Sequence, residues 1–136
     1  MSYHIGLVEK HKNLRDLFTH YFWNEGWVVS IYGNEKEATV TTDKKLDLWI
    51  MDILFSGADG QQLVQEMKQH TPNIPVVFIS DHDRILEQIS KLNLDHVYCL
   101  AKPFMPRDLV TLIHKLQGNE TRLKDIGREK YGRYSS

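Results

Sequence analysis

The sequence predicts an α/β domain built on a doubly wound five-stranded parallel sheet, and three observations carry that expectation. Short apolar runs of strand length alternate with segments whose apolar residues recur at helical spacing, at close intervals along the chain. Alternation of this kind makes a parallel sheet with right-handed crossovers and helices on both faces. Two of the runs, Leu46–Asp52 and Pro75–Ser80, are nearly continuous in apolar side chains, as central strands buried on both sides require. At 136 residues, 41% hydrophobic and 26% charged, the chain has the size and composition of one globular domain able to bury its own core.

The first strand is expected over Tyr3–Val8, carried by Ile5, Leu7 and Val8, and it ends in the polar Glu9, Lys10 and His11. Asn13 is placed to cap a helix whose Leu14, Leu17, Phe18, Tyr21 and Phe22 fall on one face, and Gly26 closes that helix. Trp27–Tyr32, rich in β-branched and aromatic residues, reads as the second strand. Gly33-Asn34 then turns the chain into a weak helix over about 35–42, poor in propensity because of Thr39, Val40, Thr41 and Thr42. The third strand, Leu46–Asp52, stops abruptly on a carboxylate and is followed by the turn signal Gly57-Ala58-Asp59-Gly60. Leu63, Val64 and Met67 mark the next helix, which finishes near His70 ahead of Pro72. Pro75–Ser80 is the fourth strand, and Asp81 or His82 starts a helix carrying Ile85, Leu86, Ile89 and Leu92. His96–Ala101 is the fifth strand. Beyond Lys102-Pro103-Phe104, Pro106 suits the first turn of a last helix, in which Leu109, Leu112, Ile113 and Leu116 form one stripe before Gly118.

The domain is thus placed at residues 1–118, with a polar segment at 119–136. That segment sets Arg122, Lys124, Arg128, Lys130 and Arg133 against Glu120, Asp125 and Glu129, so it is mildly basic; a linker, a flexible tail and a helix formed on a partner all remain open. Over the whole chain 17 basic and 18 acidic side chains give a net charge of −1, so no global field draws it to nucleic acid or membrane. No second core is present, and direct reading of DNA bases is not expected of this chain. No apolar stretch approaches the ~18 residues that a membrane span needs. The single cysteine, Cys99, rules out an internal disulfide and suits a reducing compartment, so a soluble, cytoplasmic protein is expected. The seven histidines are scattered, and no pair has ligand spacing with a supporting acid or cysteine.

In a doubly wound sheet the carboxyl ends of the strands share one edge, where reactive groups collect. Glu9 and Lys10, Asp52, Ser80 and Lys102 all fall at such ends. Two acids, a hydroxyl and a lysine converging there suit a phosphoryl site. An acid accepts the group, a hydroxyl and a lysine bind its oxygens, and carboxylates hold Mg²⁺. No Gly-rich phosphate loop is present, so nucleotide binding has no support, and no general base beside Asp52 points to a hydrolase.

Asp52 with the downstream Asp59-Gly60, Ser80 closing the fourth strand, and Lys102-Pro103-Phe104 stand in an order and spacing that resemble the receiver domains of two-component response regulators. The resemblance spans about residues 3 to 117. It implies a (βα)5 flavodoxin-like receiver fold in which Asp52 accepts a phosphoryl group from a histidine kinase or a phosphotransfer protein. It further implies that Ser80 hydrogen-bonds a phosphoryl oxygen, that Lys102 pairs with the group, and that the Lys102-Pro103 peptide is cis. Glu9, Asp52 and the backbone carbonyl of Leu54 would match the family's Mg²⁺ contacts. The implied output surface is the face built from the fourth helix, fifth strand and fifth helix, about residues 82 to 117, which the family uses for effectors, output domains or homodimers.

The chain departs from the family pattern at the pocket. Where a second acid normally follows the first strand stands Lys10, so the formal pocket charge is −1 instead of −3. Unit charges ~4 Å apart interact by roughly 4 kcal/mol at an effective dielectric near 20. Two placements of Lys10 are open: outward into solvent with weakened metal binding, or paired with Asp52 or Glu9 in partial replacement of the cation. Asp81 follows Ser80 where a small residue is usual, Phe55-Ser56 replaces a typical Met-Pro, and Cys99 occupies the position of an expected aromatic residue. Tyr98, one residue earlier, should face the other way. These changes motivate a second reading, a receiver that acts as an interaction domain without phosphorylation.

Overall fold

The continuous apolar runs fold as the centre of a sheet. A computed structural model describes residues 3–33, 45–53, 60–70 and 72–118. Its strands are β1 His4–Val8, β2 Val28–Tyr32, β3 Leu48–Asp52, β4 Val76–Ser80 and β5 Val97–Ala101, all parallel in the order β2-β1-β3-β4-β5. The described helices are α1 Lys12–Asn24, α2 Gly60–His70, α3 Asp83–Lys91 and α4 Pro106–Gly118. The helix expected over 35–42, the residues of the 57–60 turn ahead of Gly60, and the segment 119–136 lie outside the described residues. No described helix is long and apolar enough to cross a membrane.

Every residue of β3 and β4 is buried, because helices cover both faces. Strand alternation sorts the side chains into two layers. On one face Ile5, Ile50, Ile79 and Leu100 pack with Phe18 and Phe22 of α1 and with Leu109 and Leu112 of α4. On the other, Trp49, Met51, Phe78 and Cys99 pack with Val64 and Met67 of α2 and with Ile85 and Ile89 of α3. The first layer carries a run of rings. Phe104 stacks on Phe18 (6.1 Å, 7°), Phe18 on Phe22 (6.2 Å, 15°), and Phe22 meets Trp27 at 5.8 Å. The His114 ring lies 5.0 Å from Trp27, and its Nε2 pairs with Glu25. In the second layer Gly6 lies opposite Trp49 in the ladder, and a Cβ there would come within 2.7 Å of the indole. A glycine in β1 is what admits so large a ring into β3.

Helix α1 agrees with the sequence reading at its carboxyl end and corrects it in two other respects. Gly26, at φ +83°, follows the C-cap; its N–H donates to Trp23 O and that of Trp27 to Phe22 O, the paired bonds of a Schellman motif. At the other end the N-cap is His11, not Asn13, which lies inside the helix. The reason is that the Glu9 carboxylate accepts the His11 N–H at 3.1 Å, so the chain begins to turn straight after β1. Leu17 and Tyr21, expected on the apolar face, are exposed, because the buried stripe is centred on Phe18 and Phe22.

Candidate functional site

The carboxyl ends of β1, β3, β4 and β5 bring together residues far apart in sequence. Asp52 ends β3 and pairs in register with Ile79, while Ser80 ends β4 and pairs with Ala101, one residue before Lys102. Glu9 follows the last residue of β1, next to β3. Asp52 is 3% exposed and Glu9 and Ser80 not at all, so three polar side chains at this edge of the sheet are enclosed away from water. Groups so placed are held by partners or by charge, since an unpaired buried polar group is costly.

Lys102 is the partner of Asp52. Its Nζ lies 2.7 Å from Asp52 Oδ2, with the lysine side chain 23% exposed. The contact is an ion pair between a partly exposed ammonium and an enclosed carboxylate. The Lys102-Pro103 peptide is cis, as the resemblance implied. The Lys102 N–H donates to Ser80 O at 2.9 Å, which fixes the root of the lysine against β4. The Ser80 hydroxyl accepts the His82 N–H at 2.9 Å, a local turn that leaves its own proton free to donate.

Glu9 supplies the second carboxylate. Its Oε2 accepts the His11 N–H, and the group also meets the Asp52 carboxyl. Burial, and then the neighbouring Asp52 carboxylate, raise it from 4.5 to about 8; the His11 N–H and Lys102 pull the other way. Lys10 is exposed, and among the described residues no ion pair joins it to Asp52 or Glu9. The outward placement is the one observed, and the pairing with the acids is not. Lys102 holds the position against Asp52 that the second placement gave to Lys10.

A hard divalent cation suits this donor set. Two buried carboxylates that meet each other, one of them beside Lys102, are the ligand type that Mg²⁺ takes, in company with water and phosphate oxygens. The Leu54 carbonyl lies outside the described residues, and among those described His, Cys, Asp and Glu form no cluster of three. Asp81 points to the surface and meets His82 Nε2 at 3.3 Å, so it adds no charge to the base of the pocket. Cys99 and Tyr98 face opposite layers, as alternation requires. Burial pushes the Cys99 thiol up to about 12.

Sequence reasoning missed two features of this site, the His11 amide on Glu9 and the His82 amide on Ser80. Both are local turns that follow a strand-terminal acceptor by two residues. A polar side chain at, or one residue past, the last strand position ahead of a helix was the available signal.

Comparison with known proteins agrees with the geometry. The family model for the response regulator receiver domain matches residues 5–114. The transcriptional regulatory protein CssR of Bacillus subtilis is 38% identical over 116 residues, covering 85% of this chain and 52% of that protein. The response regulator SaeR of Staphylococcus aureus is 30% identical over 113 residues, covering 83% and 50%. The chain therefore spans about half the length of the curated relatives it matches. Among solved structures, a receiver domain from Methanospirillum hungatei superposes with a TM-score of 0.71 at 18% identity, over 95% of this chain and 99% of that one. The response regulator TrrA of Thermotoga maritima, solved with Mg²⁺ and BeF, gives 0.69 at 22% identity, over 84% and 98%. The structural matches show the fold, a (βα)5 flavodoxin-like architecture. With a family match over most of its length, and an acid, a hydroxyl and a lysine gathered at three strand ends, this chain belongs to the receiver domains of two-component response regulators.

Proposed function

We propose that Asp52 is the phosphoacceptor, taking its phosphoryl group from the histidine of a kinase or a phosphotransfer protein in the cytoplasm. The observation that carries this reading is the buried Asp52 carboxylate, set 2.7 Å from Lys102 Nζ with Glu9 and Ser80 beside it. An Asp52 oxygen attacks phosphorus, the P–N bond to the donor histidine breaks, and the imidazole leaves with that electron pair. The half-wet Lys102 ammonium moves from the carboxylate to the new phosphoryl oxygens, and the Ser80 hydroxyl donates its free proton to another. Glu9 and Asp52 would hold Mg²⁺, which supplies positive charge against the phosphoryl oxygens. The Lys10 substitution weakens that binding, because it removes one carboxylate from the usual set.

In this reading the protein is a signalling module, not a turnover enzyme. Its output runs through the face of α3, β5 and α4, to an effector, an output domain or a second copy, as the receiver half of a transcriptional regulator. The test is incubation with acetyl phosphate and Mg²⁺ followed by intact mass measurement. The expected result is the added mass of one phosphoryl group, lost in Asp52→Asn. An adduct that survives Asp52→Asn would falsify the assignment. The second reading, an interaction domain that acts without phosphorylation, draws on Cys99 in the place of an aromatic residue; a wild-type chain that takes up no phosphoryl group selects it.

A further inference from the structure

Gly60, the first residue of α2, donates its backbone N–H to the side-chain oxygen of Gln88 in α3, at 3.2 Å. The first N–H groups of a helix have no partner within it, and here another helix supplies one. The two helices meet at this point without slack. A Cβ on Gly60 would stand 2.9 Å from Ile89 Cγ1 and 3.0 Å from the Ile85 carbonyl oxygen, and both isoleucines are buried in the core. Gln88 itself is half-buried, so water does not freely replace it. In sequence Gly60 stands eight residues after Asp52.

The other contact of α3, with β5, is built differently. Cys99 faces α3 from β5, and its Sγ donates to Leu86 O at 3.8 Å. Tyr98 is buried in the opposite layer, against α1 and α4. Strand β5 therefore presents α3 with a small buried thiol and no ring that can turn in and out.

We propose that Gln88 is a positioning residue that couples α2 to α3, so that the state of Asp52 reaches the output face through the Gly60–Gln88 hydrogen bond in place of a rotating aromatic side chain on β5. The proposal rests on the reading of Asp52 as the acceptor. At 3.2 Å the bond stands at the outer edge of good N–H···O geometry, so a shift of a few tenths of an ångström at Gly60 weakens it. A bond that is made in one arrangement and broken in the other biases a two-state element.

The test compares wild type, Gln88→Met and Gln88→Glu by hydrogen exchange of the amides in residues 83–91, with and without beryllium fluoride and Mg²⁺ as the phosphoryl mimic. Intact mass after acetyl phosphate is measured on the same samples. In wild type the mimic should change exchange in 83–91 by about three-fold or more. In Gln88→Met the ratio between the two states should fall to about one while the adduct on Asp52 still forms. Gln88→Glu keeps an oxygen acceptor and should restore the ratio. A merely structural role would change protection equally in both states and leave the ratio as in wild type, which overturns the proposal. So does a phosphorylated wild type whose 83–91 segment does not respond; in both cases the Asp52 reading stands. A wild type with neither adduct nor response overturns the two together.

Discussion

Replacing Glu9 by glutamine should make the metal-free protein more stable, and by an amount that depends on pH. Glu9 is fully buried, and burial with Asp52 close by raises it from 4.5 to about 8. Between those values the folded chain holds a proton that the unfolded chain has released, so stability falls as pH rises. The contribution is fully present below about pH 4.5 and is lost by about pH 8. Each unit corresponds to about 1.4 kcal/mol, so the loss accumulated at pH 7 is on the order of 3 kcal/mol. Glutamine imitates the protonated acid and carries no such loss. Urea titrations in EDTA, followed by circular dichroism, should therefore place Glu9→Gln about 3 kcal/mol above wild type at pH 7 and level with it near pH 4.5. With slopes of roughly 1–3 kcal/mol per molar urea, the midpoint gap is about 1–3 M at neutral pH. Saturating Mg²⁺ should narrow the gap, because the wild-type carboxylate gains a ligand that glutamine does not match. A gap of the same size at both pH values, or a wild type more stable at pH 7, would refute the account of Glu9 as a costly buried acid.

Three other outcomes follow from the same contacts. Lys102→Met leaves Asp52 beside Glu9 with no cation, and should lower metal-free stability at pH 7 by about 3 kcal/mol; adding Asp52→Asn should recover most of it in a double-mutant cycle. Gly6→Ala drives a methyl into Trp49 and Leu46, each 2.7 Å away, and should cost about 1–3 kcal/mol, read as a lower thermal midpoint. Cys99 is buried with its thiol pushed up to about 12. Iodoacetamide at pH 8 should leave it unmodified in the native protein and label it in urea, and rapid native labelling would contradict the burial.

Much of this was legible before any coordinates. The runs ending on Asp52 and Ser80 announce central strands, and a parallel sheet sends those ends to one edge, so the two residues and Lys102 could be gathered from topology alone. Strand periodicity likewise separated Tyr98 from Cys99. What stayed hidden depends on contacts between elements or on competition for a single hydrogen bond. Asn13 has the chemistry of a cap, but the Glu9 carboxylate takes the His11 N–H and the helix starts earlier. The apolar stripe of α1 proved narrower than its composition, because Leu17 and Tyr21 sit at its edges. The raised value of Glu9 requires knowing that it is wholly enclosed next to Asp52. The bond from Gly60 to Gln88 joins residues 28 positions apart and leaves no local trace.

The two layers of the sheet also differ as mechanical objects. On the side holding α1 and α4 the helices meet the sheet through rings, Phe104, Phe18 and Phe22 stacked and Trp27 tilted against Phe22, with His114 and Glu25 at the far end. Stacked rings resist shear, since each has few torsions and a defined neighbour. The side holding α2 and α3 keeps its rings on the strands, with Phe78 and with Tyr32 5.2 Å from Trp49, while its helices bring aliphatic side chains, a flexible Met67 among them, and a small Cys99 lies under α3. The helix–sheet seam is thus packed through rings on one flank and through aliphatic side chains on the other. A displacement introduced at the strand ends should therefore meet more resistance from α1 and α4 than from α2 and α3.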